Sequence, residues 1–269
     1  MKKIHINPQS KGSLGKSFET ECRVSWLDRL GIPWYGFDLD DRHATFHDRH
    51  PDKVRLMSLE EGAKDTILQM MQAVITRPEP VVIIDCRAQA DLLLRESFDS
   101  LSIFDYAKHN DAEFVISLFP SNDNESLKNL GEIIRWAANK AQFVVVRNPA
   151  VAKALMFDES PMRGTLLNKF GAVELVMPHV TEFSLKVLEE TERRYGRAIA
   201  FSEFARGVED MGAGAKMIVP MEFAWVLGNM DGQYTRYSSL LVPEEYQVKP
   251  RASNGVKAQK PREEINVSL

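Results

Sequence analysis

The sequence predicts an α/β protein in which helices cover both faces of a mostly parallel, twisted sheet. Apolar strand-like runs alternate with helix-like segments, which is typical of parallel strands joined by right-handed crossovers. Residues 80–85 form the clearest strand, because their apolar run is continuous, as in a strand buried on both faces. With 269 residues, 44% of them hydrophobic, the chain can bury one large core.

The individual elements follow from the same patterns. The predicted strands are residues 3–7, 34–38, 53–57, 80–85, 113–119, 142–147 and 172–177. The predicted helices are residues 17–30, 58–76 and 121–138, followed by helices that dominate from 182 to about 229. In the first helix, Val24 and Leu27 lie on one apolar face and Gly31 supplies the stop. Ser58 and Glu61 match a capping box at the start of the second helix.

Periodicity stops at the C-terminal end of the chain. We therefore expect one folded domain over residues 1–242 and a disordered, locally basic tail over residues 243–269. Five basic residues of this tail could make weak, non-specific contacts with DNA phosphates. Solubilising disorder is the alternative, and the overall net charge of −4 gives no support to nucleic-acid binding.

Cysteine usage and hydropathy predict a cytoplasmic protein. The two cysteines, Cys22 and Cys86, form no CxxC pair, which fits a reducing compartment. Residues at the N-terminus include no apolar segment of a signal peptide. No stretch approaches the ~18 apolar residues that a membrane span requires, so we expect none.

The most informative segment is residues 10–17, Ser-Lys-Gly-Ser-Leu-Gly-Lys-Ser. Its Gly-Lys-Ser end lies between a predicted strand and a predicted helix, which is the context that a phosphate-binding loop requires. Gly12 and Gly15 allow close approach of the backbone, Lys16 would reach the β- and γ-phosphates, and Ser17 would hold Mg²⁺. The segment predicts the P-loop NTPase fold with ATP and Mg²⁺ as cofactors.

Polar residues end three of the predicted strands. Asp38 and Asp40 follow the second strand, Asp85 ends the strand at 80–85, and Asn148 follows the strand at 142–147. Ligands of parallel α/β sheets bind at the carboxyl ends of strands, so the acidic side chains among these are candidates for metal and water positioning. The alternative is that they are ordinary polar caps of turns and helices.

The motifs resemble those of ParA/MinD-type ATPases. Residues 11–17 resemble the deviant Walker A motif, residues 38–40 the DxD after the second strand, and residues 81–85 the Walker B strand. Residues 144–148 resemble the strand whose terminal Asn faces adenine. Within that group the chain looks most like the TraL/MobD-like proteins of conjugative or mobilisable plasmids, through residues 44–46. The motif resemblance covers residues 1 to about 150.

The resemblance implies a role for each matched residue. Lys11 would reach the phosphates across a nucleotide-sandwich homodimer and Asp40 would orient the hydrolytic water, so both are catalytic candidates. The implied metal residues are Ser17, Asp38 and Asp85. The implied nucleotide contacts are Gly12, Ser13, Leu14, Gly15, Lys16, Ser17, Phe18 and Asn148.

Three single residues and one loop depart from the family pattern. Ser13 replaces a glycine, Phe18 replaces a hydroxyl residue, and Asp41 replaces a proline. Residues 86–89 lack the usual Pro or Gly of the loop after the Walker B strand. These changes make nucleotide binding a firmer expectation than turnover, so either a slow ATPase or a binder with little hydrolysis fits.

The sequence therefore predicts a dimerising switch ATPase in plasmid conjugal transfer, mobilisation or DNA segregation. The alternative is a non-hydrolysing, nucleotide-dependent adaptor that recruits a protein partner to a transfer or positioning complex. A small-molecule P-loop kinase is a third interpretation, but Lys11, the DxD pair and the lack of an Arg-rich lid argue against it.

Two further groups have possible chemistry. His43, His47 and His50 have the spacing of one helix face and could bind a metal, but the charged residues around them favour a solvated loop. Cys86 follows Asp85 and could be a nucleophile, yet no histidine lies near it in sequence. A small buried thiol is the favoured interpretation of Cys86.

Overall fold

The computed structural model describes residues 1–60, 62–151, 156–209, 211 and 215–248. Within these residues, seven strands form one sheet: β1 Lys2–Ile6, β2 Trp34–Asp38, β3 Val54–Leu56, β4 Val81–Asp85, β5 Ala112–Leu118, β6 Ala141–Arg147 and β7 Val173–Val176. Their order is β3-β2-β4-β1-β5-β6-β7, and every neighbouring pair is parallel. The predicted α/β class with a parallel sheet is confirmed.

The helices connect these strands. They are α1 Lys16–Leu30, α2 Thr45–Arg49, α3 Ala63–Thr76, α4 Asp91–Ser100, α5 Ile103–His109, α6 Asn124–Ala137, α7 Met156–Glu159, α8 Pro161–Gly164, α9 Glu182–Tyr195, α10 Phe201–Arg206, α11 Ile218–Arg236 and α12 Ser238–Leu241. A π-helical turn at Thr165–Lys169 and a 3₁₀ turn at Glu244–Tyr246 complete the set in the described part of the chain.

Two hydrophobic layers cover the two faces of the sheet. In β4, Val82 and Ile84 belong to the layer formed with α3, α4, α5 and α6, whereas Val81 and Ile83 belong to the layer formed with α1, α10 and α11. This alternation follows from the two-residue period of a strand. Because both faces are buried, the strands need continuous apolar runs, and the expectation of helices on both faces is confirmed.

The predicted capping box at Ser58 is wrong. Helix α3 begins five residues later, at Ala63, after Gly62 with φ +128°. The Ser58 hydroxyl instead donates to Asp41 and accepts from the backbone N–H of Glu60. The other proposed member of the box, Glu61, lies outside the described residues. The Ser58 side chain thus makes a tertiary contact with the loop after β2 and does not cap α3.

The C-terminal end is described as far as residue 248. The backbone N–H of Val248 donates to the Ser238 hydroxyl at 3.1 Å, so the first residues after 242 contact the domain. Residues 249–269, which hold the basic part of the predicted tail, lie outside the described residues. The domain boundary at 242 and the tail stay predictions. No helix in the described part is long and apolar enough to cross a membrane.

Candidate nucleotide-binding site

The sheet brings the predicted motifs to one edge. Strand β4 lies between β1 and β2, and Asp38 of β2 is in register with Asp85 of β4. Because all three strands are parallel, the loop after β1 and the carboxylates that end β2 and β4 share the carboxyl edge of the sheet.

Glycine is required at the end of the loop that follows β1. Gly15 has φ +94°, and a Cβ added there would lie 2.7 Å from Asn148 Nδ2 and 2.9 Å from Met177 Cε. Any side chain would therefore clash as well as strain the backbone. Ser13 also has a positive φ, +57°, so the serine that departs from the family pattern adopts a conformation that costs about 1 kcal/mol. At Gly12 an added Cβ would make only an ordinary contact with Ala88.

The end of this loop has the features of an anion site. Helix α1 starts at Lys16, and no side chain caps its first turn, so its terminal N–H groups are available. Lys16 is buried, and its Nζ donates to the backbone carbonyl of Gln9 at 2.5 Å. Burial lowers the pKa of Lys16, and the nearby Asp85 raises it. A buried cation beside uncapped N–H groups fits a phosphate.

A hydroxyl and a carboxylate meet beside Lys16. The Ser17 hydroxyl forms a hydrogen bond with Asp85, and Asn7 Nδ2 donates to Asp85 Oδ1 at 2.6 Å. Burial, with a smaller contribution from Asp38, raises the pKa of Asp85 to about 6, although these hydrogen bonds and Lys16 oppose the shift. Hydroxyl and carboxylate oxygens are ligands that Mg²⁺ prefers, so the residues present fit this ion.

Asn7 is a site residue that the sequence did not reveal. Its side-chain oxygen accepts the backbone N–H of Cys86 at 2.7 Å while its amide donates to Asp85. It therefore fixes both the carboxylate and the start of the loop after β4. A polar residue at the end of an apolar strand was the available signal.

Asp38 organises the loop that follows it. Its Oδ1 accepts the N–H of Asp40 at 2.9 Å, and its Oδ2 accepts the N–H groups of Phe46 and His47, each at 3.0 Å. Burial raises its pKa in spite of these bonds. Both oxygens thus contact backbone in this conformation, and a metal role for Asp38 stays a prediction.

Asp40 is half-buried and close to the loop after β1. The negative charge of Asp40 raises the pKa of Lys16, so the carboxylate lies within electrostatic range of the Lys16 ammonium group. One carboxylate oxygen, Oδ1, accepts the N–H groups of Arg42 and His43 at 3.2 Å. The predicted water-orienting residue therefore lies at the site, with one oxygen held by its own loop.

Lys11 is exposed and pairs with its own chain. Its ammonium group forms an ion pair with Asp123. This bond, with help from Ser121 and Ser126, lowers the pKa of Asp123 to about 2. Asp123 also caps α6 by accepting the N–H of Ser126 at 2.8 Å. A bond within the subunit thus engages the lysine that the resemblance assigns to the facing subunit.

Two departures from the family pattern contact each other. Arg87 Nη1 pairs with Asp41 Oδ1 at 3.1 Å and with Glu60 Oε1 at 2.7 Å, which joins the loops after β2 and β4. The N–H of Gln89 also donates to the carbonyl of Ser10 at 2.8 Å. The three loops at the carboxyl edge are therefore tied together.

The remaining predicted contacts are divided between the loop and the core. Asn148 lies against the loop, because its Nδ2 donates to the carbonyl of Leu14 at 3.0 Å. The ring of Phe18 packs α1 on α10 through an edge-to-face contact with Phe201, with ring centroids 4.8 Å apart. The Phe18 side chain is thus part of the core contacts.

The histidines after β2 are dispersed. His50 Nε2 lies 3.0 Å from Glu21 Oε1 and its ring contacts Trp34, whereas His47 pairs with Asp48. Across the described ranges, no group of three His, Cys, Asp or Glu side chains could hold a metal ion. Cys86 is buried and burial raises its pKa, as the favoured interpretation of a buried thiol predicts.

The sheet order and the loop–helix geometry define an α/β protein with the P-loop NTPase fold. No protein-family model and no curated protein sequence matches the chain. Similar solved structures include MinD cell division protein from Aquifex aeolicus, at 13% identity and TM-score 0.43, covering 86% of this chain and 98% of that chain. A Borrelia burgdorferi B31 plasmid partition protein bound to AMPPNP is 11% identical, with TM-score 0.38 and coverages of 86% and 99%. The Aquifex aeolicus MinC:MinD complex matches at 14% identity and TM-score 0.40, with coverages of 85% and 96%.

Proposed function

We propose that the protein is a cytoplasmic, ATP- and Mg²⁺-dependent switch ATPase of the ParA/MinD type, similar to TraL/MobD-like proteins. It would act in plasmid conjugal transfer, mobilisation or DNA segregation. The observation that carries the proposal is the convergence of Lys16, Ser17 and Asp85 at the uncapped start of α1. A buried ammonium, a hydroxyl and a carboxylate are the groups that a P-loop uses for Mg²⁺ and phosphate.

Each residue has a distinct task in this proposal. Lys16 exchanges the Gln9 carbonyl for phosphate oxygens, and the first N–H groups of α1 bind the same phosphates. Ser17 and Asp85 hold Mg²⁺, which when bound neutralises the charge that develops on the phosphates. Asp40 orients the attacking water, and Asn148 would contact the adenine base.

Dimerisation would give the switch its output. Two nucleotides brought face to face repel each other, and a lysine donated by each subunit offsets this repulsion. We propose that Lys11 leaves Asp123 for the nucleotide of the facing subunit. The ATP-bound dimer would then recruit a protein partner, with the basic tail adding weak DNA contact.

The dimer proposal is tested at Lys11. We expect Lys11→Ala to bind ATP as a monomer and to fail to dimerise, because no cation then crosses the interface. Light scattering with ATP and Mg²⁺ measures this, with phosphate release measured on the same sample. The matched control is Asp123→Asn, which keeps a good N-cap for α6 while it removes the charge that holds Lys11. Dimerisation of Lys11→Ala at the wild-type level would contradict the sandwich.

A non-hydrolysing adaptor is the second candidate, favoured by the engagement of Asp40 Oδ1 within its own loop. Asp40→Ala separates the two candidates. If the protein is an ATPase, this change should abolish hydrolysis and leave ATP affinity nearly unchanged, since water orientation affects only the chemical step. Asp52→Ala, at an exposed turn close by in the chain, is the control. Absence of turnover in the wild type itself would favour the adaptor.

A further inference from the structure

The first half of α11 presents a large apolar surface to solvent. Met217, Ile218, Met221 and Trp225 are 73%, 65%, 62% and 58% exposed. Their spacing places them on one face of the helix. Phe183 of the neighbouring α9 is 56% exposed, and Glu222 of α11 accepts bonds from Thr181 and Ser184 at the start of that helix. We call these five apolar side chains the α11 patch.

Small residues lie along the same face. Ala224, Gly228 and Gly232 occur at intervals of four residues and are exposed. A Cβ added at Gly228 or Gly232 would meet nothing within 4 Å, so the helix backbone itself is accessible there. On this helix face the bulky side chains up to Trp225 are thus followed by two exposed glycines, Gly228 and Gly232.

Few charges lie on this face. Two charged residues at its edges are engaged, Glu222 with α9 and Asp231 with Arg29 of α1, and exposed Arg236 lies at the C-terminal end of the helix. Apolar patches of this kind on soluble domains mark binding surfaces or aggregation sites.

We propose that the α11 patch binds a second copy of itself, with the two α11 helices antiparallel. In an antiparallel pair, the register that places Trp225 over Gly228 of the second copy also places Met221 over Gly232 of that copy. Both bulky side chains therefore find a glycine in one alignment, and each contact occurs twice by symmetry. The missing side chains let the helices approach closely.

The area is sufficient for a weak dimer. A fully buried aromatic side chain covers about 150–250 Å², so half-exposed Trp225 and Phe183 offer roughly 100 Å² each, and the long aliphatic side chains of Met217, Ile218 and Met221, which are more exposed, offer about as much. Five such side chains from each of two copies give about 1,000 Å² in total, which is near the lower limit for a specific interface. Self-association should therefore depend on protein concentration, and it needs no nucleotide. It is independent of the proposed ATP-dependent dimer.

The test is sedimentation equilibrium of the full chain across a dilution series, without nucleotide and with a chelator present. The wild type should associate reversibly to a dimer. Trp225→Ala should weaken association by about tenfold or more, as expected for a central aromatic anchor. Leu92→Lys, at a residue of α4 with similar exposure, is the matched control and should leave association unchanged.

Gly228→Leu distinguishes the proposed register from unspecific apolar association. The monomer has room for the new side chain, so folding, checked by thermal unfolding, should be preserved. The leucine would fill the space of Trp225 from the second copy and weaken the dimer, whereas an unspecific apolar contact would become stronger. The double variant W225A/G228W exchanges the positions of the bulky and the small residue, and it should recover the association that is lost in Trp225→Ala.

Three results would overturn the proposal. Stronger association of Gly228→Leu would show that the contact has no defined register. A wild type that stays monomeric, but associates after removal of residues 249–269, would show that the tail occupies the patch. Association that requires ATP and Mg²⁺ would assign the patch to the nucleotide-dependent interface, whose own test at Lys11 is separate.

Discussion

Lys16→Ala should lower the affinity for ATP by roughly 100-fold, since a charged hydrogen bond to phosphate contributes about 2–3 kcal/mol. The lysine is buried at the first position of α1, and its Nζ reaches only as far as the loop carbonyl of Gln9. Burial disfavours the charged form of Lys16 and so lowers its pKa. An anion in place of the Gln9 carbonyl would therefore stabilise the ammonium group strongly. No other residue of the loop can supply the charge at this depth.

Calorimetric titration with ATP and Mg²⁺ measures the effect. Lys11→Ala is the appropriate control, because it removes a lysine from the same loop that lies at the surface and pairs with Asp123. We expect Lys11→Ala to bind ATP almost as the wild type does when both are monomeric. Equal affinity of Lys16→Ala and wild type would refute the P-loop assignment, provided that both proteins show the same thermal midpoint.

The sheet could be predicted because its strands are buried on both faces. Continuous apolar runs such as the one in β4 leave little alternative to a central strand. Short helices such as α2 and α5 were not predicted, since 5 and 7 residues are too few for a clear periodic pattern. These helices depend on tertiary contacts, which a local pattern does not contain.

The loop chemistry was visible in the sequence, but its connections were not. Gly15, Lys16 and Ser17 are adjacent in the chain, so the motif contains its own geometry. The bond from Lys11 to Asp123 joins residues 112 positions apart, and that from Asn7 to Asp85 joins residues 78 apart. Such pairs exist only because β1 lies between β4 and β5, and local patterns do not specify the strand order.

The same limit explains the departures at Asp41 and Arg87. Taken singly, each residue only weakens the resemblance to the family pattern. In the structure they form an ion pair that joins the loops after β2 and β4. The Asp41–Arg87 ion pair restrains two loops that lack proline and glycine. This role can be recognised only when the positions of both loops are known.

Asp85 combines three features that favour metal binding at the expense of stability. It is buried, it lies near Asp38, and its pKa is raised to about 6. The carboxylate form is therefore less stable in the folded protein than in the unfolded chain. Sites arranged for a cation commonly carry this cost when the cation is absent.

We expect Asp85→Asn to stabilise the nucleotide-free protein near neutral pH. Between the ordinary aspartate pKa of 3.8 and the folded value of about 6, the folded state binds more protons than the unfolded state, so wild-type stability falls as pH rises through this window. Asparagine does not titrate and can still accept from Asn7. The advantage of the variant should therefore grow from near zero at the acidic end to roughly 3 kcal/mol above the folded pKa.

Denaturant unfolding of both proteins across this pH range measures the difference, with Asp52→Asn as a control at an exposed turn. Addition of ATP and Mg²⁺ should reverse the order, because Asp85 then gains a cation whereas the variant has lost a ligand. A structural aspartate would give the opposite sign, since its removal would destabilise the protein at neutral pH. A variant less stable than the wild type without ligand, or equally stabilised by ATP and Mg²⁺, would therefore remove Asp85 from the proposed metal site.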